Sequence, residues 1–395
     1  MKKALVLGLA RSGQAARAAL ESRGIEVVGA DRSLGNDEDM SLLEGVDVLV
    51  KSPGVPGEAA LVAAARKRGI AVWSEIELGG RLLENPLYAV TGTNGKTTTS
   101  ELLGAMLEAS VAGNVGRPLT SLVGQVPPDR PIVCELSSFQ LEDIQELRPD
   151  IAVLLNLEPD HLDRHGTFEA YRAAKLRIFE NQEREDVAIV PRGFGPVPGA
   201  AERIEFAGDD PLPAEPLIPG AHNRQNAAAA TAAGRAAGLD DSTIAAALRT
   251  FPGVPHRLEL VRELAEVRYV NDSKATNTAA ARMALGAYDA PLHLILGGRE
   301  KGESFDELVE AVAAANVVTV YLVGEAAATL AVDFGYAAVP FLLSTTLERA
   351  VAEAASAARP GELVLLSPAC ASYDQFRDFE HRGEEFRRLV ENLDA

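Results

Sequence analysis

Cysteine, aromatic residues and long apolar runs are all scarce in this sequence. Only Cys134 and Cys370 are present among 395 residues, which excludes a disulfide framework and favours a reducing compartment. No apolar run reaches membrane-spanning length, and the first residues lack the apolar core of a signal peptide. We therefore expect a cytoplasmic protein without a membrane partner.

Positive charge is also in deficit. Lys and Arg number 38 against 57 Asp and Glu, which gives a formal net charge of −19. A chain this acidic is a poor partner for nucleic acid or for an anionic membrane. Any phosphate site must therefore be built locally, from glycines, helix ends and a few cations. We expect small-molecule ligands and a monomer.

The chain has enough apolar residues, 47%, for substantial cores, and they are arranged as strands alternating with amphipathic helices. This alternation is typical of an α/β fold with mostly parallel sheets. Breaks near residues 85 and 254 predict three domains: a Rossmann-like domain over 1–84, a P-loop ATPase-like domain over 85–253, and a Rossmann-like α/β domain over 254–395. The Pro-rich segment Pro191–Pro219 predicts an irregular excursion within the second domain.

The most informative stretch runs from Tyr88 to Thr98 and predicts a buried strand, a Gly-rich turn and a helix. Gly92 and Gly95 would let backbone N–H groups turn inward on an anion, and the helix would add its positive N-terminal dipole. Lys96 could reach the β- and γ-phosphates, and the Thr97 hydroxyl could bind Mg²⁺. The motif is two residues shorter than the general phosphate-binding pattern, so an ordinary strand-to-helix turn is the alternative.

The turn Gly8–Gly13 follows the first strand and resembles a dinucleotide-binding fingerprint that lacks its middle glycine. Ala10 occupies that position, where glycine permits close approach of a pyrophosphate. Asp31 ends the second strand, where an acid could hold a ribose. A nucleotide or nucleotide-sugar site is favoured over a nicotinamide site because the second block carries its own phosphate loop. A purely structural turn is the third possibility.

Residues that follow two later strands suggest a cation site. Glu135 ends one apolar run, and His161 follows another, at the edge of a parallel sheet where the phosphate loop also lies. Mg²⁺ prefers oxygen ligands, so Glu135 is the stronger candidate and His161 could equally be a capping or substrate-contacting residue. Lys175, judged alone, is typical of a solvated helix lysine.

Ten strings, in order from Tyr88 to Phe376, resemble the Mur ligase family. They are TGTNGKTTT, GNVGRP, ELSSFQLE, DHLDRHG, YRAAKLRIFEN, GAHNRQNAAAA, PHRLELV, NDSKATN, LGGREKG and LLSPACASYDQF. NDSKATN and SPACASYDQF most resemble the members that add D-glutamate, and the Asp-Asn-Pro-Arg motif of the diaminopimelate- and lysine-adding members is absent. The segment Leu107–Gly113 is shorter than in the family, which predicts a truncated strand there.

The resemblance implies an ATP- and Mg²⁺-dependent ligase that adds D-glutamate to UDP-N-acetylmuramoyl-L-alanine through an acyl-phosphate. Its alternatives are another Mur step, a folylpolyglutamate synthase, or, from a different class, a nicotinamide oxidoreductase or nucleotide sensor. The implied catalytic residues are Lys96, His161, Lys175 and Lys274. The implied ligands of two Mg²⁺ ions are Thr97, Glu135, His161 and Lys175, the last carbamylated by CO₂, because a carbamate supplies the anionic oxygens that an ammonium lacks.

Further matches divide among the three substrates. Those implied for ATP are Gly92, Thr93, Asn94, Gly95, Lys96, Thr97, Thr98, Asn223, Asn226, Arg257 and Asp272. Those implied for the UDP substrate are Ala10, Arg11, Asp31, Arg32, Ser52, Asn114, Ser137 and Gln140. Those implied for D-glutamate are Thr276, Lys301, Ser372, Tyr373 and Phe379. Ser372 could instead cap a helix and Phe379 could belong to the core. Cys370 is interpreted as a small buried residue and not as a nucleophile.

Overall fold

The computed structural model describes residues 1–300, 302 and 304–394, which form alternating strands and helices. The strands are β1 Lys3–Leu7, β2 Glu26–Ala30, β3 Val48–Lys51, β4 Ala71–Ser74, β5 Leu87–Thr91, β6 Ser110–Gly113, β7 Ile132–Glu135, β8 Ile151–Leu154, β9 Val187–Pro191, β10 Glu202–Phe206, β11 Glu259–Leu264, β12 Val267–Asn271, β13 Leu292–Gly297, β14 Val317–Val323, β15 Phe341–Thr345 and β16 Leu363–Leu366.

The helices lie mostly between successive strands, as a parallel sheet requires. They are α1 Arg11–Ser22, α2 Ala60–Lys67, α3 Glu75–Leu82, α4 Lys96–Leu107, α5 Ser138–Leu141, α6 Leu162–His165, α7 Phe168–Leu176, α8 Ala221–Ala236, α9 Asp241–Thr250, α10 Thr278–Leu285, α11 Asp306–Ala314, α12 Ala327–Tyr336, α13 Leu347–Ala357 and α14 Phe379–Glu391. The α/β fold class is confirmed.

The N-terminal sheet has the order β2-β1-β3-β4, and its strands are all parallel. Strand β1 is apolar along its length because both faces are covered. Leu5 and Leu7 pack with Val62 on one face, and Ala4 and Val6 pack on the other. The carboxyl ends of β1 and β3 therefore meet at one edge, where the two following loops can share a ligand.

The central sheet has the order β10-β9-β8-β5-β7-β6 and is also parallel, with β5 between β8 and β7. The predicted short strand is present as β6, whose four residues pair with β7; α4 ends at Leu107 and Glu108 turns the chain with φ +49°. The predicted irregular excursion Pro191–Pro219 is wrong in part, because it contains β10, which pairs with β9.

The C-terminal sheet has the order β11-β12-β16-β13-β14-β15. Strand β11 is antiparallel to β12, and the other pairs are parallel. Apolar clusters cover both faces: one includes Leu294 and Phe334, and the other includes Ile295 and Phe386.

The described chain divides into two compact units. The first unit comprises 1–216 and 222–251, with the N-terminal and central sheets; the second comprises 217–221 and the chain from Pro252 onward, with the C-terminal sheet. The three domain ranges of the sequence analysis stay a prediction. Within the described residues, no helix combines the length and apolarity needed to cross a bilayer.

Candidate active site

The phosphate loop in the first unit joins the central strand β5 to helix α4. Gly92 has φ +154° and Gly95 has φ +84°, conformations that L side chains rarely adopt. A Cβ at Gly95 would lie 2.2 Å from Asn226 Oδ1, so glycine is required there by contact as well as by backbone conformation. Asn226 in turn donates from Nδ2 to Asn223 Oδ1 at 3.4 Å. The structure therefore brings both predicted asparagines of α8 to the loop.

Two lysines converge on the carbonyl groups of this loop. Lys96 Nζ donates to Gly92 O at 3.0 Å and to Thr93 O at 2.8 Å. Lys175 Nζ, which comes from α7, donates to Gly92 O at 2.8 Å. A strand-to-helix turn with no anion to bind has no need of two cations, so the structure favours the phosphate-binding interpretation over the ordinary turn.

Lys175 is not the solvated lysine that its helix suggests, because only 2% of it is exposed. Burial foremost, and then the charge of Lys96, lower the pKa of its ammonium to about 7, against the opposing effect of Asp160 and Glu135. A substantial neutral fraction therefore exists near neutral pH. Since CO₂ reacts with the neutral amine, this environment suits the predicted carbamylation.

Glu135 ends β7 with its carboxylate buried. Its Oε1 accepts a hydrogen bond from Asn114 Nδ2 at 2.9 Å, but its Oε2 is buried without a hydrogen-bond partner. A buried, unpartnered carboxylate oxygen fits a hard cation, which would supply the missing partner. The described residues contain no group of three or more His, Cys, Asp and Glu arranged to hold a metal, so Mg²⁺ here would need other oxygens, such as phosphate.

His161 occupies the N-cap position of the short helix α6 in the left-handed conformation, with φ +50°, and its side chain makes no capping hydrogen bond. Its ring centroid lies 4.8 Å from that of Phe139, and its Nε2 lies 3.5 Å from Asp160 Oδ2. The side chain is 49% exposed, so its imidazole remains accessible to a substrate. This position is compatible with both the metal-ligand and the substrate-contacting predictions.

Sequence reasoning missed Tyr171, one helical turn before Lys175. Its hydroxyl lies 2.9 Å from Thr93 Oγ1, and Lys175 Nζ lies 4.8 Å from the centre of its ring. Burial raises the pKa of Tyr171 to about 12. The signal was its i, i+4 spacing from Lys175, which places both on one helix face.

Other residues of the loop are held by the segment after β8. Asn94 N donates to Asn156 Oδ1 at 2.8 Å, and Asn94 Nδ2 donates to Glu158 Oε2 at 3.2 Å. Thr97 and Thr98 lie buried in the first turn of α4. Asn156 and Glu158 were absent from the predicted set, since nothing in their spacing relates them to Asn94.

In the N-terminal turn Gly8–Gly13, the backbone at Gly13 lies very close to the backbone at Gly8. A Cβ at Gly13 would lie 1.8 Å from Gly8 O, and Ser52 Oγ donates to the same carbonyl at 2.6 Å. Ala10 is the N-cap of α1 and gives no side-chain cap. The first N–H groups of this helix thus have no side chain from their N-cap to satisfy them, an arrangement suited to an anion.

Asp31 has a structural role at this turn. Its carboxylate accepts hydrogen bonds from Leu9 N at 2.6 Å and from Ser33 N at 2.8 Å. These bonds, that from Leu9 foremost, lower its pKa below the ordinary value. Arg32 follows it and is exposed. The Asp31 carboxylate, which would hold the ribose in a nicotinamide site, is therefore already bound by backbone N–H groups.

The remaining predicted UDP-substrate residues lie beside the central sheet. Arg11 Nη1 donates to Gly116 O at 3.0 Å, next to the segment that carries Asn114. Ser137 and Gln140 form a reciprocal capping box on α5, with Gln140 Oε1 accepting from Ser137 N at 3.0 Å. Their side chains are thus held in place by each other.

In the second unit, Asp272 is buried at the end of β12. Burial raises the pKa of its carboxyl to about 7, while Ser367 Oγ donates to its Oδ2 at 2.8 Å and Arg257 lies close enough to oppose the shift. Lys274 N donates to His256 O at 3.0 Å. The structure therefore groups Arg257, Asp272 and Lys274 on adjoining segments.

The residues predicted for D-glutamate differ in exposure. Ser372 is 2% exposed and Tyr373 is 63% exposed. Phe379 begins α14, capped by Asp378, and Lys274 Nζ lies 5.9 Å from the centre of its ring. Thr276 is half-buried two residues beyond Lys274, and Lys301 lies outside the described residues. Cys370 is buried, as interpreted from the sequence.

Arg382 was missed and connects two of these segments. It is 2% exposed and donates from Nη2 to Ser273 O at 2.9 Å and to Cys370 O at 3.1 Å. Burial lowers the pKa of its guanidinium to about 10. Its only sequence signal was its position three residues after Phe379, which puts both on neighbouring positions of one helix face.

Comparisons with known proteins agree with this geometry. Residues 90–193 match the Mur ligase middle domain, and residues 256–370 match the Mur ligase glutamate ligase domain. The UDP-N-acetylmuramoylalanine--D-glutamate ligase of Acidobacterium capsulatum is 40% identical over 444 residues, covering 98% of this chain and 96% of its own. That of Myxococcus xanthus is 39% identical over 450 residues, covering 99% and 98%. Both alignments exceed the 395 residues here, so these relatives hold segments that this chain lacks.

Solved structures share the fold at low identity. The UDP-N-acetylmuramate-alanine ligase of Thermotoga maritima superposes with a TM-score of 0.62 at 17% identity, covering 99% of each chain. The MurF ligase of Thermotoga maritima, in complex with ADP, gives a TM-score of 0.60 at 18% identity, covering 89% of this chain and 91% of its own. With full-length relatives near 40% identity and two matching domains, the chain belongs to the Mur ligase family.

Proposed function

We propose that this protein adds D-glutamate to UDP-N-acetylmuramoyl-L-alanine, with conversion of ATP to ADP and phosphate, in peptidoglycan precursor synthesis. The observation that carries the proposal is the phosphate loop with Lys96, Lys175 and the unpartnered Glu135 Oε2 grouped around it. Such a group suits phosphoryl transfer to a carboxylate. The choice of D-glutamate rests on the names of the full-length relatives.

The first step would transfer a phosphoryl group. A carboxylate oxygen of the L-alanine moiety attacks the γ-phosphorus of ATP, the bond to ADP breaks, and an acyl-phosphate forms. Positioning and neutralisation of charge dominate such a transfer. The Gly92–Thr98 loop would hold the phosphates through its N–H groups, and Lys96 would turn from the loop carbonyls to the β- and γ-phosphates.

Two Mg²⁺ ions would assist by neutralising phosphate charge. Thr97 and Glu135 would hold the first, whereas His161 and a carbamate on Lys175 would contribute to the second. The buried Oε2 of Glu135 supports the first assignment, and the lowered pKa of Lys175 supports the second.

The second step would form the amide bond. The amine of D-glutamate attacks the acyl-phosphate carbonyl, loses a proton, and phosphate leaves. Residues of the second unit would bind the amino acid, with Thr276, Lys301 and Ser372 as partners for its carboxylates and with Tyr373 and Phe379 beside them. Lys274 would be a catalytic residue. Arg257 and Asp272 would contact ATP.

The UDP substrate would bind at the edge of the N-terminal sheet. Its pyrophosphate would lie at the uncapped N-terminus of α1, near Ala10, Arg11 and Ser52, and Arg32 would approach from the next loop. Asn114, Ser137 and Gln140 would face the muramoyl peptide. Since UDP-sugars and ATP occur together in the cytoplasm, we place the reaction there, and we propose a monomer.

A phosphate-release assay with a panel of amino acids tests the assignment. Phosphate formation should require UDP-N-acetylmuramoyl-L-alanine, Mg²⁺ and D-glutamate together, with L-glutamate as the matched stereochemical control. Equal turnover with L-glutamate would contradict the proposal. Turnover only with a diamino acid or a folate would identify another ligase of the superfamily, and affinity for NAD without turnover would support the nicotinamide alternative.

A further inference from the structure

Every second carbonyl group from Pro53 to Gly57 accepts a hydrogen bond from a cation. Arg164 Nη1 donates to Pro53 O at 3.2 Å, and Lys51 Nζ donates to Val55 O at 3.1 Å. Arg66 Nη1 donates to Gly57 O at 2.8 Å. The three cations come from α6, β3 and α2, so three separate elements converge on one short segment.

The same three cations pair with two consecutive carboxylates. Arg164 Nη2 lies 3.1 Å from Glu142 Oε2. Lys51 Nζ lies 2.9 Å from Asp143 Oδ2, and Arg66 Nη2 lies 2.7 Å from Asp143 Oδ1. Lys51 and Asp143 are almost completely buried, at 1% and 6% exposed. A buried ion pair adds little to stability in general but fixes one arrangement of the groups that it joins.

The Pro53–Gly57 segment and the carboxylates Glu142 and Asp143 both adjoin predicted substrate residues. Ser52, immediately before Pro53, donates to the carbonyl of the Gly8 turn. Glu142 and Asp143 directly follow α5, whose capping box is formed by Ser137 and Gln140. The carboxylates therefore connect the two edges that, on the proposed function, hold the UDP moiety and the muramoyl peptide.

Arg164 extends this connection to the catalytic segment. Its guanidinium carbon lies 4.1 Å from the centre of the Phe139 ring, on which His161 also packs. His161 is three residues away on the same short helical segment. A shift of the Pro53 carbonyl would thus change the position of Arg164 and, through the Phe139 ring, that of the His161 ring.

We propose that Glu142 and Asp143, acting through Lys51, Arg66 and Arg164, are positioning residues that set the Pro53–Gly57 segment for binding of the UDP substrate. This assignment rests on the proposed function. The five residues touch protein groups, and their contribution is to hold the loop after β3 in register with α5, so that both ends of one long substrate meet prepared sites.

Direct binding measurements on the full chain test this role without requiring turnover. Asp143→Asn keeps the shape of the side chain and removes the charge that two cations share. Arg164→Gln removes the contacts to Pro53 O and Glu142 and lies at a partly exposed position, so it remains informative if Asp143→Asn does not fold. Arg192→Gln is the matched control, since Arg192 also pairs with two carboxylates, Asp209 and Asp210, but lies away from the segment.

Calorimetry with UDP-N-acetylmuramoyl-L-alanine should give a Kd about tenfold higher for Asp143→Asn and for Arg164→Gln, because each loses a charged hydrogen-bond anchor. The Kd for ADP should stay within about twofold, and KM should rise for the UDP substrate alone while kcat changes less. Arg192→Gln should match the wild type.

The outcomes separate the two proposals. If Asp143→Asn and Arg164→Gln both bind the UDP substrate as tightly as the wild type does, the positioning role is wrong, even if their melting temperatures fall. If both variants lose UDP-substrate and ADP affinity together, the contacts are general structural supports and the proposal is overturned. If the wild type binds no UDP substrate, the proposed function is wrong, and the positioning role that rests on it is wrong as well.

Discussion

Lys175 is the residue whose role changes most between sequence and structure. Its sequence context indicates an exposed helix lysine, whereas the folded chain buries it against Gly92 and within electrostatic range of Lys96 and Glu135. The resemblance predicts a carbamate at this position. The structure adds a reason why modification is chemically accessible, since burial moves the pKa of the amine to about 7.

Replacement of Lys175 tests the carbamate directly. Lys175→Ala should lose nearly all phosphate release, and millimolar acetate or formate should restore part of it by occupying the vacated anion position. Lys175→Arg should be as inactive as the alanine variant, because guanidinium stays positive and does not take up CO₂. Near-normal activity of the arginine variant would show that the reaction needs no carbamate at Lys175, and would leave this buried lysine with an ordinary structural role.

Glu75 provides a test of stability against pH. It is almost fully buried at the start of α3; its Oε1 accepts from Thr120 N and Oγ1, and its Oε2 has no hydrogen-bond partner. Burial raises its pKa to about 7. The folded state therefore holds the proton more tightly than the unfolded state, so this group's contribution to stability is full below pH about 4.5 and is lost as pH rises toward 7.

The expected change is on the order of 3 kcal/mol between these pH values, from a pKa difference of about 2.5. Glu75→Gln removes the titration, so the variant should lose this decline in unfolding free energy over the same window. Urea unfolding of the wild type and the variant at pH 5 and pH 7.5 measures it. Parallel pH profiles for the two proteins would show that Glu75 titrates normally in the folded state.

At the scale of elements, the strand–turn–helix β5–α4 has a steric requirement at Gly95 that can be tested by substitution. Gly95→Ala would place a methyl group against Asn226 Oδ1 at a left-handed backbone position. We expect loss of measurable ADP binding, because either the loop or the Asn226 side chain must move. Gly193→Ala is the control, since Gly193 has φ +74° and no heavy atom within 4 Å of the added carbon.

The control should cost about 1 to 2 kcal/mol of stability from its backbone conformation alone and leave ADP affinity unchanged. Calorimetric titration with ADP and a thermal melt of both variants separate the two effects. ADP affinity retained in Gly95→Ala would show that the contact with Asn226 is not part of nucleotide binding.

The most apolar strands could be predicted from the sequence, whereas several edge strands could not. The apolar runs 4–7, 132–135, 267–271 and 363–366 predict strands, and the bounds of β1, β7, β12 and β16 agree with them to within a residue. Strands β10, β11 and β15 were missed. Each lies at a sheet edge; β10 and β11 carry exposed or half-buried charged residues, and β15 exposes Leu342 and Leu343. Such strands depend on a neighbour for their stability and have no strong periodicity of their own.

The same limit applies to the site. Glycines, lysines and threonines of the phosphate loop are consecutive in sequence, so their shared purpose was predictable. Tyr171 contacts Thr93, 78 positions away in the sequence, and Arg164 contacts Pro53, 111 positions away. Only the fold brings these residues together. Spacing carries local geometry and says nothing about such pairs.

At the scale of the whole molecule, the proposed ATP ligands belong to both compact units. Lys96 is in the first, and Arg257 and Asp272 are in the second, joined by the chain around Phe251–Pro255. One nucleotide bound by all three would fix the arrangement of the units, as ligands do in closure mechanisms.

Small-angle scattering tests this coupling. Addition of a non-hydrolysable ATP analogue together with the UDP substrate should change the scattering profile, and the analogue should have a smaller effect on Asp272→Ala. The same titration with GTP in place of the ATP analogue controls for nonspecific effects of added nucleotide. Identical profiles with and without both ligands, from a free form shown to be extended, would argue against closure.

If Lys175 is carbamylated, as the resemblance implies, its hydrogen bond to Gly92 O would make folding and modification separate steps. As an ammonium, Lys175 gives a phosphate-loop carbonyl a partner, so the chain can complete its core before any CO₂ is fixed. Carbamylation would withdraw that donor and reverse the local charge. Newly folded protein would then be inactive until dissolved CO₂ modifies Lys175. A pH below the pKa of this lysine would keep the amine protonated and unmodified.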